Sequence, residues 1–187
     1  MDALFDLPPV IWPVEGSARG FPVRRVFCIG KNYADHVVEM GGEVPSTPTD
    51  PVVFTKDAAC LVQPGANARY PADTSDLHHE VELVAAIGES GGVWGHAVGI
   101  DLTRRDLQAA AKGKGHPWDR AKSFPDSAPM GVLREGPLAD GAEIALHVNG
   151  ELRQSSPLAN MMRGVEGLVA YLRADMGLAA VEQSRLV

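Results

Sequence analysis

Two glutamates set two residues apart, in Leu77-His78-His79-Glu80-Val81-Glu82-Leu83, are the first residues in the chain whose types and spacing suggest chemistry. On a strand, alternate side chains share a face, so Glu80 and Glu82 would point one way, with Val81 and Leu83 on the other side. Adjacent carboxylates repel, and a half-buried strand holds them together only with compensation. A divalent cation supplies that compensation; a solvent-facing strand edge would remove the need for it. The histidines beside them invite zinc, but a site with carboxylates in the majority suits Mg²⁺, Mn²⁺ or Ca²⁺ better. Asp101 closes the apolar run Ala97-Val98-Gly99-Ile100. There it is either a third oxygen ligand or the N-cap of the helix that follows.

Further along that helix, Arg105 and Gln108 stand three residues apart on one face. They could present donors to an anion, as surface polar residues also do without function. His36 and Glu39 have the same spacing. Glu39 could orient His36 as a base for water, or the two could be an exposed pair on a surface helix. Lys122, in Ala121-Lys122-Ser123-Phe124, is either solvated in a loop or placed to meet developing negative charge. Cys28 sits inside an apolar strand pattern and reads as core. Gly113-Lys114-Gly115 lacks the rest of a nucleotide-binding fingerprint.

Short elements must position these groups. Glycine (20) and proline (14) punctuate the chain throughout, which favours many short strands over a helical bundle. Residues 1–22, with Pro8, Pro9, Pro13 and Pro22, read as an extended arm, and residues 23–187 as a single domain. Strands are predicted over 23–29, 52–54, 79–87 and 98–102. A helical turn or two is predicted over 32–40, and a helix over 104–111. A hairpin is predicted over 143–152 with Asn149-Gly150 as a type I′ turn. A last helix is predicted over 160–175, its core stripe formed by Met161, Val165, Leu168, Val169 and Leu172 and its end capped by Gly177.

Composition narrows the function. The 187 residues are 45% apolar and 22% charged, as expected of a globular protein. No apolar run approaches the roughly 18 residues of a membrane span, and the N-terminus lacks a signal-peptide layout. Lys and Arg total 17 against 24 Asp and Glu, a formal charge of −7, the wrong balance for general nucleic-acid binding. Two cysteines make no disulfide framework and match no zinc pattern, so reduced thiols in a cytoplasmic protein are expected.

Taken together, four separated motifs resemble the fumarylacetoacetate hydrolase family, in particular its acylpyruvase and fumarylpyruvate hydrolase branch. They are the run Arg25 to His36, the run Leu77 to Leu83, the run Gly99 to Gln108, and the run Pro117 to Phe124. Val148 to Gln154 also fits. The resemblance implies an α+β, mainly β fold, a mixed β-sandwich roll with a few short helices, usually as a homodimer. It implies that Glu80, Glu82 and Asp101 bind Mg²⁺ or Mn²⁺ and that Lys122 flanks the metal. His36 and Glu39 would activate water from a lid helix, and Arg105 and Gln108 would hold the oxygens of a 2-oxo acid substrate. The implied reaction is hydrolysis of the C–C bond of a 2,4-dioxo acid, with fumarylpyruvate the first choice. Oxaloacetate decarboxylation and dienedioate isomerisation are alternatives on the same site. The family also continues with a substrate-site loop and closing strands beyond the point matching Val187, which leaves a non-catalytic partner subunit as a further alternative. The connection between Ile87 and Gly99 is shorter than is usual in the family.

Overall fold

The computed structural model describes residues 4, 8–34, 41, 43, 49–178 and 182–186. A six-stranded mixed sheet lies at the centre. Its strands are β3 (Val26–Gly30), β4 (Val52–Lys56), β7 (Val81–Ile87), β8 (Val93–Ile100), β11 (Arg134–Glu135) and β14 (Glu182–Leu186), in the order β11-β8-β7-β14-β3-β4. β14 runs parallel to β3 and antiparallel to β7; the other pairings are antiparallel.

Alternation along these strands builds two cores. Val26, Cys28, Val84, Ala86 and Ala97 face one side. They pack against Trp12, Phe21 and Val23 of a hairpin formed by β1 (Val10–Trp12) and β2 (Phe21–Val23), and against Met130 and Leu133. The Trp12 indole N–H donates to the Gly131 carbonyl at 2.8 Å, which satisfies its polar edge inside the core. The intervening residues Phe27, Ile29, Ala85 and Ile87 face the other side and meet Leu168, Val169 and Leu172 of a C-terminal helix. Cys28 and Cys60 are both buried thiols, as expected of Cys28.

The smaller pieces are β5 (Leu61–Val62) with β10 (Ala128–Pro129), β6 (Leu77–His78) with β9 (Thr103–Arg104), and the hairpin β12 (Glu143–Val148) with β13 (Glu151–Pro157). The last of these carries the predicted turn, with Asn149 and Gly150 both at positive φ (54° and 83°). The helices among the described residues are α1 (Arg105–Lys114), α2 (Asp119–Lys122) and α3 (Val165–Met176). The fold is thus mainly β with a few helices. None of those helices is long and apolar enough to cross a membrane.

Several boundaries differ from the sequence expectation; the strand expected over 98–102, for one, runs Val93–Ile100. The strand expected over 23–29 starts at Val26, because Phe21–Val23 pairs with β1 instead. The helix expected from residue 160 starts at Val165. Residues 158–160 form a single 3₁₀ turn, and the next residues are drawn into pairing with β3's exit. The Asn32 carbonyl accepts from the Met162 N–H at 2.8 Å, its side chain exchanges two hydrogen bonds with the Arg163 backbone, and Tyr33 bridges Met161. The helix does end as predicted, at Gly177 with φ 60°.

Another difference bears on the site. The strand expected over 79–87 begins only at Val81, as β7, and His79 and Glu80 separate it from the short preceding strand β6. The chain changes partner there, from β9 to β8, and Gln154 takes up the backbone groups released by the change. Its side-chain oxygen accepts from the Val81 N–H at 2.9 Å, and its amide donates to the His79 carbonyl at 3.1 Å.

Candidate metal centre and active site

β7 and β8 deliver the acidic groups. Glu82 lies opposite Gly99 in their ladder, and two residues further along Asp101 donates its backbone N–H to the Glu80 carbonyl at 2.8 Å. Glu80, Glu82 and Asp101 therefore converge although Glu80 is off the strand. One carboxylate oxygen from each lies within 4.8 Å of the others. Glu82 and Asp101 are fully buried. Glu82 shares a face with Val84 and Ala86, so the carboxylates stand where the apolar core of that face gives out. An all-oxygen donor set of three carboxylates fits a hard divalent cation better than zinc. The adjacent histidines take no part: His78 pairs with Asp76 at 3.0 Å, and among the described residues the metal-capable group contains carboxylates alone.

Cations surround this group. Lys122, expected in a loop, ends the one-turn helix α2 and is buried, its C-terminal position favouring the positive charge only weakly in so short a helix. Its ammonium donates to Asp101 Oδ2 at 2.5 Å, Thr103 Oγ1 at 2.7 Å and Glu80 Oε2 at 2.8 Å. Arg105, the first residue of α1, pairs with Glu80 and donates to Gln108 Oε1 at 2.7 Å, so these two do stand together at the site. Asp101 does not cap α1. Residue 104 occupies the cap position without a side-chain bond, and Asp106 accepts instead from Thr74, Ser75 and the Leu107 N–H.

The electrostatics follow from these contacts. Burial works to raise the Glu80 pKa, but Lys122 and Arg105 outweigh it and hold the carboxyl down at about 2. Burial likewise opposes the Lys122 charge, yet Asp101 and Glu80 prevail and hold its pKa above the ordinary lysine value. Both groups are therefore charged at neutral pH.

Two buried partners escaped the sequence reading. Lys56, at the end of β4, places its ammonium 2.8 Å from Asp101 Oδ1, and Thr103 joins Lys122 to Glu80 through its hydroxyl. A lysine two residues after Phe54, on the face of an otherwise apolar strand, was the available signal for Lys56. His36 and Glu39 lie outside the described residues, as do residues 35–40 of the helix expected over 32–40; at its expected start, Asn32 and Tyr33 are not helical and pair with residues 161–163 instead.

Three carboxylates that could hold a cation thus stand with two buried ammonium groups beside β7 and β8 of a mixed sheet. Residues 25–182 match the model of the fumarylacetoacetate (FAA) hydrolase C-terminal family, and the chain belongs to that family. It is 35% identical to oxaloacetate tautomerase YcgM of Escherichia coli, over 89% of this chain and 81% of the relative. It is also 35% identical to the bovine oxaloacetate tautomerase FAHD1, mitochondrial, over 83% and 75% respectively. Among solved structures, fumarylpyruvate hydrolase from Pseudomonas aeruginosa in complex with Mn²⁺ and pyruvate matches with a TM-score of 0.89 and 38% identity. That match covers 98% of this chain and 86% of the other.

Proposed function

We propose that the protein hydrolyses the C–C bond of an acylpyruvate, fumarylpyruvate first among them, with Mg²⁺ or Mn²⁺ held by Glu80, Glu82 and Asp101. The observation that carries this reading is the Lys122 ammonium bonded to two members of the carboxylate cluster, Asp101 and Glu80. The likeness to a fumarylpyruvate hydrolase structure with Mn²⁺ and pyruvate supports it. When bound, the cation supplies Lewis acidity toward the 2-oxo acid end of the substrate.

The protein's own residues do the rest. Arg105 and Gln108 hold the substrate's oxygens. His36, oriented by Glu39, takes a proton from water, whose oxygen attacks the 4-carbonyl. The C3–C4 bond then breaks, leaving its electron pair on the pyruvate fragment as an enolate, and a proton returned to C3 completes pyruvate beside the released carboxylic acid. Lys122 meets the charge that grows on the enolate oxygen and accelerates the step to the extent that it favours that charge over the ground state. A homodimer in the cytoplasm is part of the same proposal.

A second reading, oxaloacetate tautomerisation, is favoured by the 35% identity to oxaloacetate tautomerases, and decarboxylation of oxaloacetate is an alternative on the same site. It uses the same enolate stabilisation without water attack. Incubation with fumarylpyruvate, acetylpyruvate and oxaloacetate, each with Mg²⁺, Mn²⁺ or EDTA, separates the two. Metal-dependent pyruvate release from fumarylpyruvate is expected. Turnover of oxaloacetate alone would replace hydrolysis with the second reading, and no turnover of any of the three would count against both.

A further inference from the structure

Lys56 is a buried charge for which the proposed reaction has no step. Its ammonium lies 2.8 Å from Asp101 Oδ1, donates to Ser127 Oγ at 3.0 Å and to the Leu102 carbonyl at 3.4 Å, and also donates to the backbone carbonyl of Lys122. It thus joins the segment that carries a carboxylate ligand candidate to the helix end that carries Lys122. Asp101 is shared in an ordered way: Lys56 holds Oδ1 and Lys122 holds Oδ2.

The two lysines are anchored differently. Lys56 bonds to two main-chain carbonyls and a buried hydroxyl outside the carboxylate cluster, besides its pair with Asp101. The Lys122 ammonium is held by the side chains of Glu80, Asp101 and Thr103, two of which a cation would recruit. Most of the Lys56 acceptors thus lie outside the carboxylate cluster, and most of the Lys122 acceptors lie within it.

β4 as a whole grips the end of α2. Phe54 and Lys56 lie on one face of the strand, two residues apart. The Lys122 ammonium stands 4.9 Å from the Phe54 ring centroid, while Lys56 binds the same residue's carbonyl. The next backbone N–H, of Asp57, donates to Ser123 Oγ at 3.2 Å. The side chain of Lys122 and the backbone beneath it are therefore both fixed from β4.

We infer that Lys56 is a positioning residue that sets the separation between the carboxylate cluster and the Lys122 ammonium, and so tunes the site for an enolate rather than for the metal. The inference rests on the proposed function for the identity of that charge. Partners that orient a metal site from behind commonly alter affinity or activity by about 10- to 100-fold when removed. For Lys56 the loss falls on the enolate side.

The test uses Lys56→Met, with Lys122→Met for comparison. Free Mn²⁺ is followed by electron paramagnetic resonance, and oxalate, a planar mimic of enolpyruvate, is titrated calorimetrically onto the Mn²⁺-loaded protein. In Lys56→Met, Mn²⁺ affinity within about threefold of wild type is expected, with oxalate binding at least about tenfold weaker, as in Lys122→Met. With a substrate that turns over, kcat falls by a similar factor and KM stays close to wild type. Wild-type oxalate affinity and kcat per Mn²⁺ site, with only the melting temperature lowered, would overturn the inference. Loss of Mn²⁺ binding in parallel with oxalate would do the same.

Should Lys56→Met not fold, Ser127→Ala removes one acceptor of the ammonium. A fall of about threefold in oxalate affinity at unchanged Mn²⁺ affinity is then expected, and no change overturns the proposal. Wild-type protein that binds Mn²⁺ and oxalate but turns over no substrate refutes the proposed function and leaves the Lys56 result standing. Wild-type protein that binds neither refutes both.

Discussion

The ammonium of Lys122 lies 2.5 Å from Oδ2 of Asp101, and both side chains are buried. Asp101 is held on its other oxygen by Lys56 at 2.8 Å, so one carboxylate separates two buried cations. Neutralising it would leave two ammonium groups facing each other across an amide. Breaking a buried ion pair from one side costs about 3–5 kcal/mol. Asp101→Asn is therefore expected to lower stability by at least that much in urea unfolding, and to abolish Mn²⁺ binding. A variant with wild-type stability would mean that Asp101 is not the hinge of this charge cluster.

Metal removal should act in the same direction, but more mildly. In the three-carboxylate cluster, Glu80 and Asp101 already pair with Lys56, Lys122 and Arg105. Their charges largely cancel within the protein, so the cluster does not need the cation in order to fold. Protein stripped with EDTA is expected to keep its β circular dichroism spectrum. Its stability should fall only by the linkage contribution, about 2.7 kcal/mol where the wild type is loaded at a hundred times Kd. Global unfolding on chelation would contradict this balance.

The pH dependence follows from the same pairs. The folded-state pKa of Glu80 is depressed from 4.5 to about 2 by Lys122 and Arg105, which outweigh its burial. Its contribution to stability is complete above pH 4.5 and is lost as pH falls toward 2. Lys122 shifts the other way: with its folded pKa raised, its contribution is complete below pH 10.5 and is lost as pH rises through the elevated value. Metal-free protein should thus show a plateau between these limits as far as this pair is concerned, with an acid limb below. Urea unfolding across that limb is expected to give a shallower slope for Glu80→Gln than for wild type. An unchanged slope would assign the acid sensitivity to other groups.

How far the sequence could be read depended on whether local pattern or long-range partnership decided the outcome. The near-continuous apolar runs along Val26–Gly30 and Val81–Ile87 report burial on both faces directly, and the left-handed positions at Asn149, Gly150 and Gly177 have local steric signatures. The carboxylate cluster was visible because Glu80 and Glu82 are close in sequence and Asp101 ends an apolar run. The break at His79–Glu80 was not, since it arises from Gln154, more than 70 residues away, supplying hydrogen bonds to the unpaired backbone. Lys56 was missed for a related reason. A lysine at a strand end is ordinarily solvated, and only the approach of Asp101, Leu102, Lys122 and Ser127 makes this one a buried tie. Lys122 itself looked like a loop residue because α2 is a single turn, too short to leave a periodic pattern.

His36 separates the two proposed reactions most sharply. Hydrolysis of an acylpyruvate needs a base to deprotonate water before the 4-carbonyl can be attacked, and His36 with Glu39 fills that role in the proposal. Enolisation or decarboxylation of oxaloacetate needs the developing enolate to be stabilised, which falls to Lys122 and the cation, and involves no attacking water. Replacing His36 by Ala should therefore reduce fumarylpyruvate hydrolysis by about 100-fold or more while leaving oxaloacetate turnover within a few fold of wild type. Lys122→Met should depress both, because the enolate charge is common to the two paths. Pyruvate release and loss of the enol absorbance, followed in parallel on the same preparations, read out the two reactions. Equal loss of both activities in His36→Ala would place that residue in the shared proton transfer and remove its assignment as the base for water.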